Sequence, residues 1–467
     1  MPCPYPLPKS MTSDLKPRSD LRALWAIAWP GSLSMLLITS LALVDLKWIS
    51  FLGTAPLAAV SLCTNIVFVI FGLSHVVYAG TLALVARALG AQDPAAAGAS
   101  LLQALLLAGL LGILITGLGY LLTPGMIAFF QLDPETARLS IIYLRLLFYH
   151  FFFMLLATPI SASFNAAGNT RTPLVLNGLA VLANVVLAPI FIYRPGEMVV
   201  LGADLGRFGL GIFGAGLATV AASVLSCLGY FSLLPTRFFP LRPASLRAWA
   251  WNSREIGRIL RIGLPASIAN ISRPFSTVLL QRLLAGYSTG AIAGFGIGLR
   301  WLGINWIFFG GLGLAVSALC GQHLGANRPQ LAQAMIRRAL GLALIVQALS
   351  TCAYYFLAGP LVAFMDPEPA TLEPGVAFLR WVSVSLMFSS VGGIGAAALL
   401  GAGDTRPLMF SSIFSNWAVK LPLAWVLAKP LGWGPTGIWA AMAASLVVEG
   451  AINYLWYRTG SWKRKAI

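Results

Sequence analysis

Leu89-Gly90-Ala91-Gln92-Asp93 returns as Leu324-Gly325-Ala326-Asn327-Arg328, and Gly168-Asn169-Thr170-Arg171 returns as Gly403-Asp404-Thr405-Arg406. Both recurrences are displaced by 235 residues, and Pro30-Gly31-Ser32 meets Pro265-Ala266-Ser267 in the same register. Three separate anchors on one offset mark an internal duplication, the usual build of a membrane transporter. A fourth pair, Gly214-Ala215-Gly216 with Gly434-Pro435-Thr436-Gly437, fits loosely at 220 to 221. Extra residues must therefore precede it in the first half, and the polar run 194–207 is the expected insertion.

What repeats is apolar. Of the 467 residues 58% are hydrophobic and only 10% charged, against roughly 25% charged in a soluble domain, and the mean hydropathy is +0.83. Stretches long enough to cross a bilayer, about 20 residues each, fall at 23–50, 56–80, 97–122, 140–165, 173–193 and 209–234. The second half supplies 256–286, 290–318, 331–358, 376–401, 408–429 and 435–457. The composition predicts an all-α integral membrane protein of twelve transmembrane helices in two six-helix repeats. An even number of spans makes both repeats enter from the same side. The two lobes are then related by a pseudo-twofold axis along the membrane normal, with a cavity between them. The expected limits are 1–234 for the first lobe, 235–255 for a linker and 256–467 for the second lobe. The linker's Pro235, Pro240 and Pro243, its arginines and Trp249-Ala250-Trp251 suit a segment lying at headgroup level.

Lys and Arg accumulate on the cytoplasmic side of short loops. One side of these spans carries 20 of the 31 basic residues, from Lys9, Arg22 and Arg87 through Arg171, Arg254 and Arg328 to Arg458 and Lys465. The other holds only Arg138, Arg194, Arg207 and Lys429, beside acidic residues such as Asp133, Glu197 and Asp366. Both termini are therefore expected to be cytoplasmic. The formal net charge of +17 is this topology signal plus attraction to anionic lipids, and it requires no nucleic acid. Residues 1–22 are polar and Pro-rich and do not read as a cleavable signal peptide. The five cysteines (Cys3, Cys63, Cys227, Cys320 and Cys352) and the three histidines (His75, His150 and His323) show no ligand spacing. No metal site, no cofactor and no disulfide framework is expected from them. No nucleophile-base cluster supports an enzyme.

The order of motifs carries a resemblance. Leu43-Val44-Asp45 lies on the first span, Arg87-Ala88-Leu89-Gly90-Ala91 follows the second, and Ala166-Ala167-Gly168-Asn169-Thr170-Arg171 precedes the fifth. Gly403-Asp404-Thr405-Arg406 and the terminal Arg458-Thr459-Gly460-Ser461-Trp462-Lys463 complete the set. Over nearly its whole length the chain resembles the multidrug and toxic compound extrusion (MATE) transporters, most of all their bacterial proton-coupled, DinF-like branch. The resemblance implies a monomeric antiporter of the bacterial inner membrane. It would export organic, often cationic and amphipathic, small molecules by rocking of the two lobes, in exchange for protons or sodium ions.

Asp45 is the foremost candidate for ion coupling. A carboxylate inside a span is costly and is usually kept for ion or substrate handling, and Asp45 matches the family's first-helix aspartate. The competing reading is a structural ion pair, although Lys47 two residues on does not share its helix face. The family's fifth helix often carries Asn and Asp four residues apart. Here Asn184 is followed by Ala188, which removes an oxygen ligand that sodium would use and favours protons. Asn184, with Thr219 on the sixth span, is expected to hydrogen-bond to Asp45. Tyr143, Tyr149 and Asn177 are candidate cavity residues of the first lobe. Arg273 stands where another branch of the family carries a seventh-helix glutamate. Arg273 and Arg282, with the other basic residues inside spans, either snorkel to the interface or give the cavity positive walls. Positive walls would suit an anionic or lipid-linked substrate, as in the flippases of the same wider superfamily.

Overall fold

A computed structural model describes residues 17–200, 203–236, 239, 241, 251–465 and 467. Cys3, Lys9 and Lys16, and the linker's Arg242, Arg247 and Trp249, lie outside them.

The first lobe contains α1 (Pro17–Ser50), α2 (Thr54–Gly90), α3 (Pro94–Ala128), α4 (Pro134–Ala166), α5 (Arg171–Ile192) and α6 (Gly211–Leu233). The second contains α7 (Ser253–Leu284), α8 (Thr289–Gly325), α9 (Pro329–Phe356), the short α10 (Ala358–Ala363) and α11 (Pro369–Gly401). It continues with α12 (Arg406–Ile413), α13 (Leu421–Ala428) and α14 (Pro435–Thr459). Among the described residues ten helices are long and apolar enough to cross a membrane. The other two spans are α7, which is rich in arginine, and α12 with α13, which are joined by a π-helical turn, Phe414–Lys420. Pro422 explains that irregularity, because it has no N–H to give to the carbonyl four residues back. The protein is an integral membrane protein of twelve spans in two lobes.

The starts and stops obey local chemistry. Asp93 and Asp133 accept the amides of Ala96 and Thr136 at 2.9 Å, each just before a proline that opens the next helix. Gln92 and Asn327 end α2 and α8 in the left-handed region at φ 60° and 55°. Gly168 and Gly403 do the same after α4 and α11 at φ 79° and 75°. Each pair is 235 residues apart. The last helices are not, since α6 begins at Gly211 and α14 at Pro435, a shift of 224 rather than 220 to 221. Gly214 and Gly437 are the equivalent pair. A side chain on Gly214 would strike the backbone of Phe191, and one on Gly437 the backbone of Leu427 and Ala428. The residues inserted before α6 include a small antiparallel hairpin, Val199–Val200 with Ala203–Asp204.

The lobes interlock through α1 against α8 and α2 against both α7 and α8. The closest approaches lie toward the face that carries both termini, and they come in reciprocal pairs. A Cβ on Gly90 would lie 2.0 Å from the Gln322 carbonyl, and one on Gly325 2.0 Å from the Arg87 carbonyl. Gly311 packs on Ala28 as Gly263 packs on Val76. Thr170 donates to the Ile27 carbonyl at 2.8 Å, and Thr405 to the Ile262 carbonyl at 2.6 Å. On the same face the Arg87 guanidinium crosses to the carbonyls of Ala402 and Lys465, and Gln322 reaches back to that of Ala166. Lys465 is paired with Asp404 at 2.8 Å. This face of the molecule is shut.

Candidate functional site

Asp45 lies on α1, half-buried, five residues before the helix ends. No hydrogen bond or ion pair reaches its carboxylate from the described residues. The Lys47 ammonium instead sits 4.7 Å from the centroid of the Phe51 ring, so the two neighbours do not pair. Asn184 and Thr219 meet each other rather than Asp45. The Asn184 amide donates to the Thr219 hydroxyl at 3.2 Å, and Thr219 donates to the Ala215 carbonyl one turn back. A helical threonine satisfies its hydroxyl in that way without any partner on another helix. The Asn184 Oδ1 is left buried with no partner.

The other first-lobe candidates scatter. Tyr143 is buried in the lobe core beside Cys63 and within electrostatic reach of Asp45. Tyr149 is exposed and meets Tyr120 edge to face. Asn177 donates to Ser34 at 3.1 Å and accepts from Tyr230 at 3.3 Å, which ties α1, α5 and α6 together. His150 is bonded to Ser223. His75 packs edge to face on Tyr78 and lines the inter-lobe cavity.

That cavity encloses about 310 Å³. Met35, Tyr78 and Leu82 line it from the first lobe, while Arg273, Trp306 and Glu449 do so from the second. On the second-lobe side the polar groups are joined. Arg273 on α7 meets Glu449 on α14 at 2.7 Å, and the second carboxylate oxygen accepts from Ser415 at 3.3 Å. Ser276 donates to Asn416 at 3.1 Å, and Ser411 to Asn453 at 2.7 Å. The Arg273 guanidinium also lies 5.2 Å from the Trp306 centroid, while its Nε is buried with no partner. Lys420, 3% exposed, ends the π-turn and faces the charges of Arg273 and Glu449. Arg282, farther along α7, is exposed and outside this group.

Sequence reasoning singled out Arg273 but not Glu449, Lys420 or the Ser/Asn set around them. The signal was present. Ser276, Ser411, Ser415, Asn416 and Lys420 stand where the first repeat has Leu41, Leu176, Ala180, Val181 and Val185. Polar replacement of apolar repeat partners inside spans is costly unless the groups bond to one another.

The MatE family model matches residues 30–190 and 265–426, one match in each lobe. The chain belongs to the MatE family. A relative in Thermotoga maritima, the probable multidrug resistance protein NorM, is 23% identical over 99% of this chain and 96% of its own length. The FAD transporter of Shewanella oneidensis is 26% identical over 75% of this chain and 76% of its own. Among solved structures, a MOP superfamily transporter from Pyrococcus furiosus superposes with a TM-score of 0.86 at 22% identity. It covers 96% of this chain and 97% of that one. The MatE assignment makes this chain a multidrug-efflux-type membrane transporter of small molecules.

Proposed function

We propose that this MatE protein exports amphipathic organic compounds in exchange for protons, with Asp45 as the group that takes up and releases the proton. The observation that carries the reading is the Asp45 carboxylate itself. It is half-buried in the first span, and no described residue pairs with it. A carboxylate without a fixed counter-charge in a low-dielectric span exchanges protons more readily than one locked in an ion pair. Its repeat partner is Leu280, so coupling belongs to the first lobe. The loss of a second carboxylate at Ala188 favours protons over sodium. The basic, shut face is the cytoplasmic one in this reading, which makes the structure an outward-facing state of an inner-membrane protein. The expected cationic cargo rests on family resemblance alone, and the relatives' names span drug resistance proteins and an FAD transporter.

The test is efflux from proteoliposomes under an imposed pH gradient or an imposed sodium gradient, for the parent and Asp45→Asn. Proton-driven efflux that is lost in the variant supports the reading. Movement indifferent to both gradients, or an unaffected variant, refutes it.

A further inference from the structure

Two cationic side chains and one carboxylate meet at the second-lobe wall of the inter-lobe cavity, and the surplus charge there is positive. Arg273 is 41% exposed at its side chain and Glu449 12%, so the guanidinium opens to the cavity while the carboxylate sits behind it. Lys420 is buried nearby, with no hydrogen bond or ion pair from the described residues. Both cations share a single internal counter-charge. The wall opposite is uncharged, since Met35, His75, Tyr78, Ala79 and Leu82 line it from the first lobe. Trp306 offers an aromatic face beside Arg273.

From this geometry we infer that the cavity holds the anionic head group of an amphipath, a carboxylate, sulfonate or phosphate, on Arg273 and Lys420. Glu449 acts as the built-in anion with which the cargo competes. The inference rests on the export reading for its biological use and names the class of cargo that reading leaves open. An arginine fork is suited to a planar or tetrahedral oxyanion, because two N–H groups are presented side by side. The cavity volume lies at the small end of ligand sites, which fits one compact head group with an apolar body against the first-lobe wall. The π-helical turn that brings Lys420 to this place is the kind of helix irregularity found at functional positions. A site evolved to hold a cation would have the opposite inventory, with carboxylates in surplus.

The competition with Glu449 gives the inference a sign that a structural ion pair does not share. The probes are 2-naphthalenesulfonate and N,N,N-trimethyl-2-naphthylammonium, matched in their apolar body. Their equilibrium binding to the full-length protein in detergent is read by calorimetry. The parent should bind the sulfonate about tenfold or more tightly than the ammonium, the scale of one charge-assisted hydrogen bond. Arg273→Gln should lose about tenfold or more for the sulfonate. Lys420→Met should lose several-fold while leaving the lobe intact, because it replaces a buried charge with an apolar chain of similar length. Glu449→Gln should bind the sulfonate more tightly than the parent, since the internal competitor is gone and Ser415 keeps a partner. Equal binding of the two probes by the parent, a preference for the ammonium, or weaker sulfonate binding by Glu449→Gln overturns the inference. If Arg273→Gln does not fold, Lys420→Met and Glu449→Gln still decide the matter. Because the readout is binding, a protein that binds the sulfonate yet moves neither probe in proteoliposomes would refute the export reading and leave the site standing.

Discussion

Gly90 and Gly325 make the sharpest test of how the two lobes close. Each presents its missing side chain to the other repeat's backbone, and a Cβ at either would lie 2.0 Å from a carbonyl oxygen. That is about 1.4 Å short of ordinary contact at 3.4 Å. The obstacle is backbone on both sides, so no rotamer change relieves it. The α2 and α8 ends must part. Overpacking of this kind costs about 1–3 kcal/mol. If the lobes separate here in the alternate state, only the closed state bears that cost, and the equilibrium moves about 5- to 150-fold toward it. Gly90→Ala and Gly325→Ala should have similar effects, and the double variant should fall short of their sum, because parting the helices for one makes room for the other. Spin labels at the exposed positions Arg171 and Arg406, with the native cysteines replaced, report the distance between the two lobes by pulsed electron resonance. The expected result is a new, longer-distance population in each alanine variant. Gly109→Ala on α3, where a Cβ meets nothing within 4 Å, should leave the distribution unchanged. A lowered melting temperature with an unchanged distribution would show that the strain is absorbed within a lobe, and would refute the gate.

Two further outcomes follow from the repeat and its caps. Thr170→Val and Thr405→Val each remove one buried hydrogen bond to a carbonyl of the lobe's first helix. Each should cost about 1 kcal/mol, read as matched falls in melting temperature, and an effect at only one site would break the claimed equivalence. Asp133 caps α4 through the Thr136 amide, which holds its carboxyl below the usual carboxylate range. A depressed carboxyl stabilises above its ordinary value near pH 4, and that stabilisation fades as pH falls through the lowered value. Asp133→Asn, itself a good cap, should therefore keep its stability at neutral pH and flatten the acid limb of a melting-temperature profile taken from pH 6 down to 3. An unchanged acid limb would remove the cap from the account.

Helix limits followed the repeat because starts and stops depend on local chemistry. Pro134 and Pro369 open α4 and α11, and Gly168 and Gly403 close the turns behind them, so the 235-residue register was readable wherever proline or glycine punctuated it. Between α5 and α6 no such marker survives the insertion, and the loose glycine match put the shift a few residues short. Partners across helices were harder to read. Asn184 and Asp45 are both polar positions in apolar spans, but a span is apolar on every face, and periodicity cannot say which face looks inward. Glu449 lies 176 residues from Arg273, and only packing of α14 against the π-turn and α7 brings the two together. Lys420 was visible as a basic residue in a span. Its place beside that pair depends on how Pro422 unwinds the helix before it.

Comparison of the halves separates two kinds of residue. Where the repeats agree, at Gly90 and Gly325 or Thr170 and Thr405, the residues hold the shut face, and duplication supplied both sides of one gate. Where they disagree, the residues are polar inside a span. Asp45 answers to Leu280, Arg273 to Ile38 and Lys420 to Val185. Leu, Ile and Val are the cheaper choice at such depth, so each charged member of these pairs carries a cost that the fold, satisfied by its apolar twin, does not require. The carboxylate without a described partner lies in one lobe and the surplus cations in the other. Proton and cargo are thereby assigned to different lobes, and they can influence each other only through the movement that opens the glycine gate. Gly90→Ala should accordingly weaken the dependence of transport on the pH gradient while leaving sulfonate binding at Arg273 within a few-fold of the parent. A loss of both together would place proton and cargo in one site.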